Sequence, residues 1–524
     1  MKQTILLLIL LFLQNGYSQT EDAWVFFTDK PQANSYLSNP LSMLSQRALD
    51  RRTRLGISLD ILDVPVDDNY LNQIKQTPGI TYKAKSKWLN AVHITGTQAD
   101  IDNLLNFSFV NKIEYANKNI GVVTRPQPYD EPVIPVTSRR VNFDYGQGAG
   151  QINLMHGEVM HQQNYTGDGV LIGILDAGFM DVDIAPLFQH LFQNNKILDV
   201  YNFVSHDTDV YQFSMHGSGV LSTIAAKTQG ELVGTAPDVS VALYVSEDVS
   251  QEMPIEETYW AAAAERADSL GVDVINTSLG YQTYDRPEYS YTMADLDGQT
   301  SFISRAADIA VSRGINVVIA AGNSNGTPWP KIGMPADAVN VITVGAVDAS
   351  GTIAGFSSIG PTADGRIKPD ITAQGVNCAV YWNGQVQGGS GTSFASPIIA
   401  GMVACMVQAF PQKTPAQIKQ DLISISDRYN NPDYEYGYGI PDFTLYNLNN
   451  IKNSNRNAIV IYPNPASDYF FVKSDNDVDY QIFTIEGKYI LSGKSHQKKI
   501  NINQLSKGLY FVKIGNSIQK LEVN

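Results

Sequence analysis

The sequence predicts an α/β protein built on a mainly parallel sheet, with a small α+β module before it and an all-β sandwich after it. Three observations carry this. Over about residues 151–447, nearly continuous apolar runs alternate with helix-like stretches, the pattern of a parallel sheet covered on both faces. Residues 457–524 change to short alternating runs divided by turn residues, the pattern of a sandwich. Between these stretches and the N-terminal module lie segments of linker composition. A chain of 524 residues has room for several such domains.

Taken in order, residues 1–18 read as a secretory signal peptide. Lys2 precedes the apolar run Ile5–Leu13, which is too short to span a bilayer, and Gly16 and Ser18 supply small residues for cleavage before Gln19. No other run reaches transmembrane length, so the mature chain is expected to be exported without a membrane span. Residues 19–120 form the α+β module. Ala23–Phe27 and Trp88–Ile94 read as strands, Arg47–Arg52 and Gln98–Leu105 as short helices. Residues 121–150 form a linker, with Pro126, Pro128, Pro132 and Pro135 followed by Gly146, Gly148 and Gly150, a composition suited to cleavage.

In the central domain the strands are Gly169–Leu175, Val239–Val245, Val272–Asn276 and Ile315–Ala320, with helices near 217–228, 255–269 and 301–313. Residues 448–456 are a second, Asn-rich linker. The strand candidates of the last domain are Ile459–Tyr462, Tyr469–Lys473, Tyr480–Ile485 and Gly508–Ile514.

The net charge of −15 argues against a nucleic-acid partner. It is unevenly spread: residues 457–524 carry eight lysines against six acidic residues, which sets the tail apart. Two cysteines, Cys378 and Cys405, make neither a disulfide scaffold nor a Cys-rich metal site. They are read as two buried thiols, with a single bridge as the alternative.

Candidate chemistry centres on Gly388-Gly389-Ser390-Gly391-Thr392-Ser393, a turn-prone run leading into the apolar helix Ile398–Val407. A serine at that junction has its hydroxyl near free helix N–H groups. Alone it is an ordinary N-cap. A nucleophile also needs a base, and among seven histidines His216 stands out, at a Gly-flanked turn opening the small-residue helix that begins near Val220. Asp176 ends the first parallel strand, where a carboxylate is costly without a partner. It could hold one imidazole nitrogen. Asn323, after Ala320-Ala321-Gly322 at the end of another strand, is placed to donate to an oxyanion. The second donor is the Ser393 backbone N–H. Each residue alone has an ordinary structural reading as a cap, a loop-bonded Asp or a turn Asn.

Together, in the order Asp176, His216, Asn323, Ser393, they resemble the subtilisin-like serine peptidase family. The matching segments are Leu175-Asp176-Ala177-Gly178, His216-Gly217-Ser218, Ala320-Ala321-Gly322-Asn323 and Gly391-Thr392-Ser393-Phe394-Ala395-Ser396-Pro397. The resemblance implies a three-layer subtilisin-like core and a secreted serine endopeptidase made as a zymogen. It implies Asp176, His216 and Ser393 as catalytic residues and Asn323 as the oxyanion donor. Ser278, Leu279 and Gly280 with Ala320, Ala321 and Gly322 would be the two strands that hold an extended polypeptide substrate. Departures are Ala177 and Ser218, where the family usually has Thr, and Phe394, where it usually has Met. The Tyr-rich stretch Tyr281–Tyr291 reads equally as subsite lining or as a locally packed loop. By the same resemblance, residues 19–120 are an inhibitory, folding-assisting propeptide. The tail, with Tyr462-Pro463-Asn464-Pro465-Ala466 and Gly508–Lys513, looks like a type IX secretion sorting domain, giving the secretion machinery as a partner and a secreted or cell-surface location. No cofactor is required for the chemistry. Structural calcium is common in the family; Asp181-Val182-Asp183 and Asp207-Thr208-Asp209 are candidates by chemistry alone and are read first as solvated loop charges. The rival from another class is an adhesin on an inactive scaffold, whose mark would be a missing triad member; none is missing. A lipase would want Gly-x-Ser-x-Gly and the opposite residue order.

Overall fold

The computed structural model describes residues 19–120, 143–446, 460–473, 477–484, 488–496, 498–514 and 517–524. The expected signal peptide, most of the first linker and the second linker lie outside them. The described chain divides into two compact units, one ending at Tyr446 and the other holding the described residues from 460 onward.

The first unit opens on a four-stranded antiparallel sheet of order β2-β3-β1-β4. Its strands are β1 (Thr20–Phe27), β2 (Thr81–Ser86), β3 (Ala91–Thr97) and β4 (Val110–Tyr115). Helices α1 (Gln46–Leu55) and α2 (Asp68–Gln76) belong to the same module. Both start where the sequence supplies a cap: Ser45 Oγ accepts from the Ala48 N–H, and Asp67 from the Asn69 and Tyr70 N–H groups. Gly56, at φ +66°, ends α1 in the left-handed conformation.

The core of this unit is a seven-stranded parallel sheet of order β11-β10-β9-β8-β5-β7-β6. Its strands are β5 (Leu171–Asp176), β6 (Ile197–Asn202), β7 (Ser240–Val245), β8 (Val274–Thr277), β9 (Asn316–Ala320), β10 (Ile342–Val347) and β11 (Ile371–Gln374). The central strands β5, β8 and β9 are buried throughout, which is why they read as unbroken apolar runs rather than alternating ones. Helices α3 (His216–Ala225), α4 (Ile255–Leu270), α5 (Phe302–Ser312) and α6 (Thr392–Ala409) cover it. Only α6 among the described helices is long and apolar enough to cross a membrane, and it is buried in this core. Cys378 and Cys405 are buried free thiols.

The small sheet rests on α4 and α5, and the two modules share one apolar core. Trp24 of β1 stacks on Phe302 with ring centroids 5.1 Å apart, and Phe26, Trp88 and Trp260 join the same cluster. The Trp24 indole donates to Thr258 Oγ1 at 2.8 Å, and His93, fully buried, lies between Thr258 and Asp22. Glu265 of α4 caps the β2–β3 turn, accepting from Ser86 Oγ (2.5 Å) and the N–H groups of Lys87 (2.9 Å) and Trp88 (3.0 Å).

Charges are paired across the same interface. Arg51 and Arg52 of α1 converge on Asp268 of α4, and all three side chains are at most 2% exposed. Arg52 also reaches Asp63, while Arg47 and Arg54 both hold Asp273. Glu114 of β4 accepts from both terminal guanidinium nitrogens of Arg305. Burial pushes the Asp268 carboxyl up, but Arg52 and Arg51 outweigh it and hold it below the ordinary range. The N-terminus of α1 closes the C-terminus of α4: Ser45 N–H and Oγ donate to the Ser269 and Leu270 carbonyls. Gly271 is required there, because a Cβ would lie 2.7 Å from the Ala48 nitrogen.

In the second unit, a three-stranded sheet (Val460–Tyr462, Tyr469–Lys473, Lys499–Asn501) and a four-stranded sheet (Tyr489–Lys494, Asp479–Thr484, Gly508–Ile514, Ser517–Val523) enclose a core that includes Phe470, Val472, Ile482, Val512 and Leu521.

Candidate active site

The site lies beyond the carboxyl ends of β5, β8 and β9, where a parallel sheet opens onto loops. β5 delivers Asp176, which is fully buried. Its Oδ1 accepts from the Ala177 N–H at 2.8 Å and meets His216 Nδ1 at 2.7 Å. His216 is the first residue of α3, and its own N–H donates to Ser214 Oγ. The next residue must be glycine: a Cβ on Gly217 would lie 2.3 Å from the Gly178 carbonyl oxygen. Burial opposes a charge on His216, but the charge and hydrogen bond of Asp176, with Glu247 adding to them, prevail and raise its pKa above the ordinary value.

Ser393 is the second residue of α6 and is 9% exposed. Its Oγ donates to the Ser278 carbonyl at 3.4 Å; among the described residues it makes no hydrogen bond to His216. The two residues are nonetheless neighbours, since the His216 ring is 6.2 Å from that of Phe394.

Pro397 ties this helix to β8. Lacking an N–H, it leaves the Ser393 carbonyl without its helical donor. Ser278 Oγ supplies one at 2.9 Å. Asn276 completes the link: its Nδ2 donates to Ser278 Oγ at 3.2 Å, and its Oδ1 accepts from Ser396 Oγ at 2.9 Å.

Asn323, at the end of β9, is exposed. Its Oδ1 accepts from both the N–H (2.8 Å) and the Oγ1 (3.0 Å) of Thr392. Its Nδ2 donates to no described protein group and so is available at the cleft. Gly322 N–H donates to Thr392 Oγ1 at 3.1 Å. Ser278, Leu279, Gly280, Ala320, Ala321, Gly322 and Asn323 line one cavity of about 280 Å³ with Thr392 and Ser393. All ten residues marked by the sequence are therefore brought to this end of the sheet. Thr392, Asn276 and Ser396, to which the sequence reading gave no role of their own, join the same hydrogen-bond network; Glu247, which it did not single out, lies near His216.

The Tyr-rich stretch packs locally. Tyr281, Tyr284, Tyr289 and Tyr291 are buried; the Tyr284 and Tyr291 hydroxyls share Glu257 Oε1 at 2.6 and 2.7 Å. Tyr289 OH meets Glu21 of the N-terminal module. Among the described residues no group of three or more His, Cys, Asp or Glu side chains converges on a metal-sized site.

Three family models match the chain: "Subtilase family" over residues 167–439, "Peptidase S8 propeptide domain, Bacteroidota" over 22–130 and "Secretion system C-terminal sorting domain" over 460–523. Serine protease AprX of Bacillus subtilis (strain 168) is 30% identical over 312 residues, 54% of this chain and 66% of that protein. Subtilisin NAT of Bacillus subtilis subsp. natto is 32% identical over 316 residues, 59% of this chain and 74% of that one. The crystal structure of fervidolysin from Fervidobacterium pennivorans, 18% identical, superposes with a TM-score of 0.54 over 95% of this chain and 71% of that one.

Proposed function

Because this chain belongs to the subtilase family and is a serine peptidase, we propose that Asp176, His216 and Ser393 carry out its acyl transfer, with Asn323 as oxyanion donor. The observation that carries the assignment is the 2.7 Å contact between His216 Nδ1 and a fully buried Asp176, beside a serine at a helix entrance. Asp176 fixes the tautomer that leaves Nε2 unprotonated. Ser393 Oγ turns from the Ser278 carbonyl to attack the scissile carbonyl, and His216 Nε2 takes its proton. Asn323 Nδ2, aimed by Thr392, and the Ser393 N–H hold the developing oxyanion. His216 then gives the proton to the leaving amine, and water hydrolyses the acyl-enzyme by the reverse path. Ser278–Gly280 and Ala320–Gly322 hold the substrate as an added strand. No metal or cofactor enters these steps.

The chain has a propeptide domain and a sorting domain, and the protein is secreted or displayed at the cell surface. We assign residues 19–120 as the inhibitory propeptide, 121–150 as the processing segment, 151–447 as the peptidase, 448–456 as a linker and 457–524 as the sorting domain recognised by the secretion machinery. The shared core and the Arg51/Arg52–Asp268 cluster support the propeptide as a tightly held partner.

A serine-directed fluorophosphonate should label the secreted enzyme and leave Ser393→Ala unlabelled, and that variant should accumulate unprocessed. Normal processing of Ser393→Ala in a protease-free preparation would refute the assignment.

A further inference from the structure

We infer that Glu247 selects a basic side chain, Lys or Arg, at the substrate position immediately before the residue that donates the scissile carbonyl. This rests on the peptidase reading above. Glu247 lies two residues beyond β7. The preceding residue, Ser246, donates its N–H to the Asp176 carbonyl at 3.0 Å, so the loop leaves the sheet beside the Asp176–His216 pair. The Glu247 charge is close enough to His216 to help raise its pKa. On its other side, Glu247 Oε2 accepts from Tyr281 OH at 2.8 Å, and Tyr281 is the first residue after the edge segment Ser278–Gly280. Glu247 therefore lies between the imidazole and the buried hydroxyl of the residue that follows the edge on which substrate would lie.

Strand geometry then chooses the subsite. An extended peptide on Ser278–Gly280, with its reactive carbonyl at Ser393, runs from Ser278 towards Tyr281 on its acyl side. The side chain next to the scissile bond enters the cavity between the two edge segments, which no acidic or basic residue lines. Side chains of a strand alternate, so the preceding one points to the opposite side, where His216 and Glu247 stand. Glu247 is half-buried and forms no ion pair among the described residues. A substrate cation there would meet a carboxylate that has no cationic partner of its own.

Burial pushes the Glu247 carboxyl up to about 7, the repulsion of Asp176 adding and the Tyr281 hydrogen bond and His216 opposing. Glu252 is raised to about 7 and Glu256 to about 9, in both cases by burial first and then by the charge of Glu247. With Asp176, His216, Tyr281, Asp248, Glu252 and Glu256 facing it, Glu247 gains charge between about pH 6 and 8.

The test uses the processed secreted enzyme and aminocoumarin peptides with Leu next to the scissile bond and Lys, norleucine or Glu before it. Norleucine matches the lysine stem without its charge. The expected kcat/KM ratio of Lys over norleucine is tenfold or more at pH 8, smaller at pH 6, with Glu slowest. Glu247→Gln should bring the ratio within about twofold, and Glu247→Asp should keep most of it, a pattern that misfolding would not give. A wild-type ratio near one, or an unchanged ratio in Glu247→Gln, overturns the inference while fluorophosphonate labelling of Ser393 leaves the peptidase reading standing. Failure of both hydrolysis and labelling overturns the two together.

Discussion

Replacing Asp268 by Asn should break the hold of the propeptide on the peptidase domain while leaving the peptidase itself intact. In the zymogen Asp268 is the shared acceptor for Arg51 and Arg52, with none of the three side chains more than 2% exposed. Removing one partner of a buried ion pair strands the other without solvent, at a cost of about 3–5 kcal/mol. Asn keeps one hydrogen-bond acceptor, and Asp63 still pairs with Arg52, so the lower end applies. At about 1.4 kcal/mol per tenfold, that weakens the complex on the order of 10²-fold. The assay titrates processed enzyme with its propeptide and follows hydrolysis of a fluorogenic peptide. Without propeptide, the variant should match wild type in kcat/KM, because position 268 then faces water. A control is Asp199→Asn, which breaks a half-exposed pair with Arg266 and should change the inhibition constant less than threefold. Buried charges are poorly screened, so the Asp268 effect should persist in 0.5 M salt. An inhibition constant within threefold of wild type, or an effect that vanishes with salt, would refute the buried-cluster argument.

Further outcomes follow from the site and the core. Activity should fall as pH drops through the raised pKa of His216, because the protonated imidazole cannot accept the Ser393 proton; Glu247→Gln should move that acid limb downward, as read from kcat/KM profiles. Asn323→Ala should lower kcat roughly 10²- to 10³-fold with KM little changed, as read in steady-state assays on the same peptides. His161 is buried between Tyr145 OH and the Thr235 carbonyl, and burial lowers its pKa to about 4. Its unfolded value is near 6.5, so the unfolded chain binds more protons between those values and stability is lost as pH falls from 6.5 towards 4. Urea midpoints of Ser393→Ala should therefore drop between pH 7 and 5, and adding His161→Gln should flatten that slope.

Much of the fold was legible because its signals are local. Continuous apolar runs marked β5, β7, β8 and β9, and the helices near 217–228, 255–269 and 301–313 correspond to α3, α4 and α5 within a few residues. β6, with its mixed burial, and the lateral strands β10 and β11 escaped, since short runs such as Ile371–Gln374 carry little periodicity. The candidate site residues could be proposed from the sequence because each ends a strand or enters a helix beside glycine. What was not legible depends on distant partners. Glu247 reads as one acid in a polar loop until Tyr281 and His216 meet it. The Tyr281–Tyr291 stretch reads equally as subsite lining or as a locally packed loop until Glu257, on α4, gathers two of its hydroxyls. The arginines of α1 look like a solvated helix face. Their acceptor lies more than two hundred positions away, and no spacing announces it.

Pro397 has a consequence for how firmly the site is gauged. A helix ordinarily references its first turn to its own fourth residue onward. Here that internal reference is missing, and the turn bearing Ser393 takes its measure from Ser278, the residue that begins the proposed docking edge. In the proposed reaction, the distance between nucleophile and bound carbonyl would then be gauged by this hydroxyl, with the Thr392–Asn323 and Ser396–Asn276 bonds beside it. On that proposal, a shift of the docking edge would carry Ser393 with it, and the two parts of the reaction would stay in step while the rest of the cleft adjusts to different side chains.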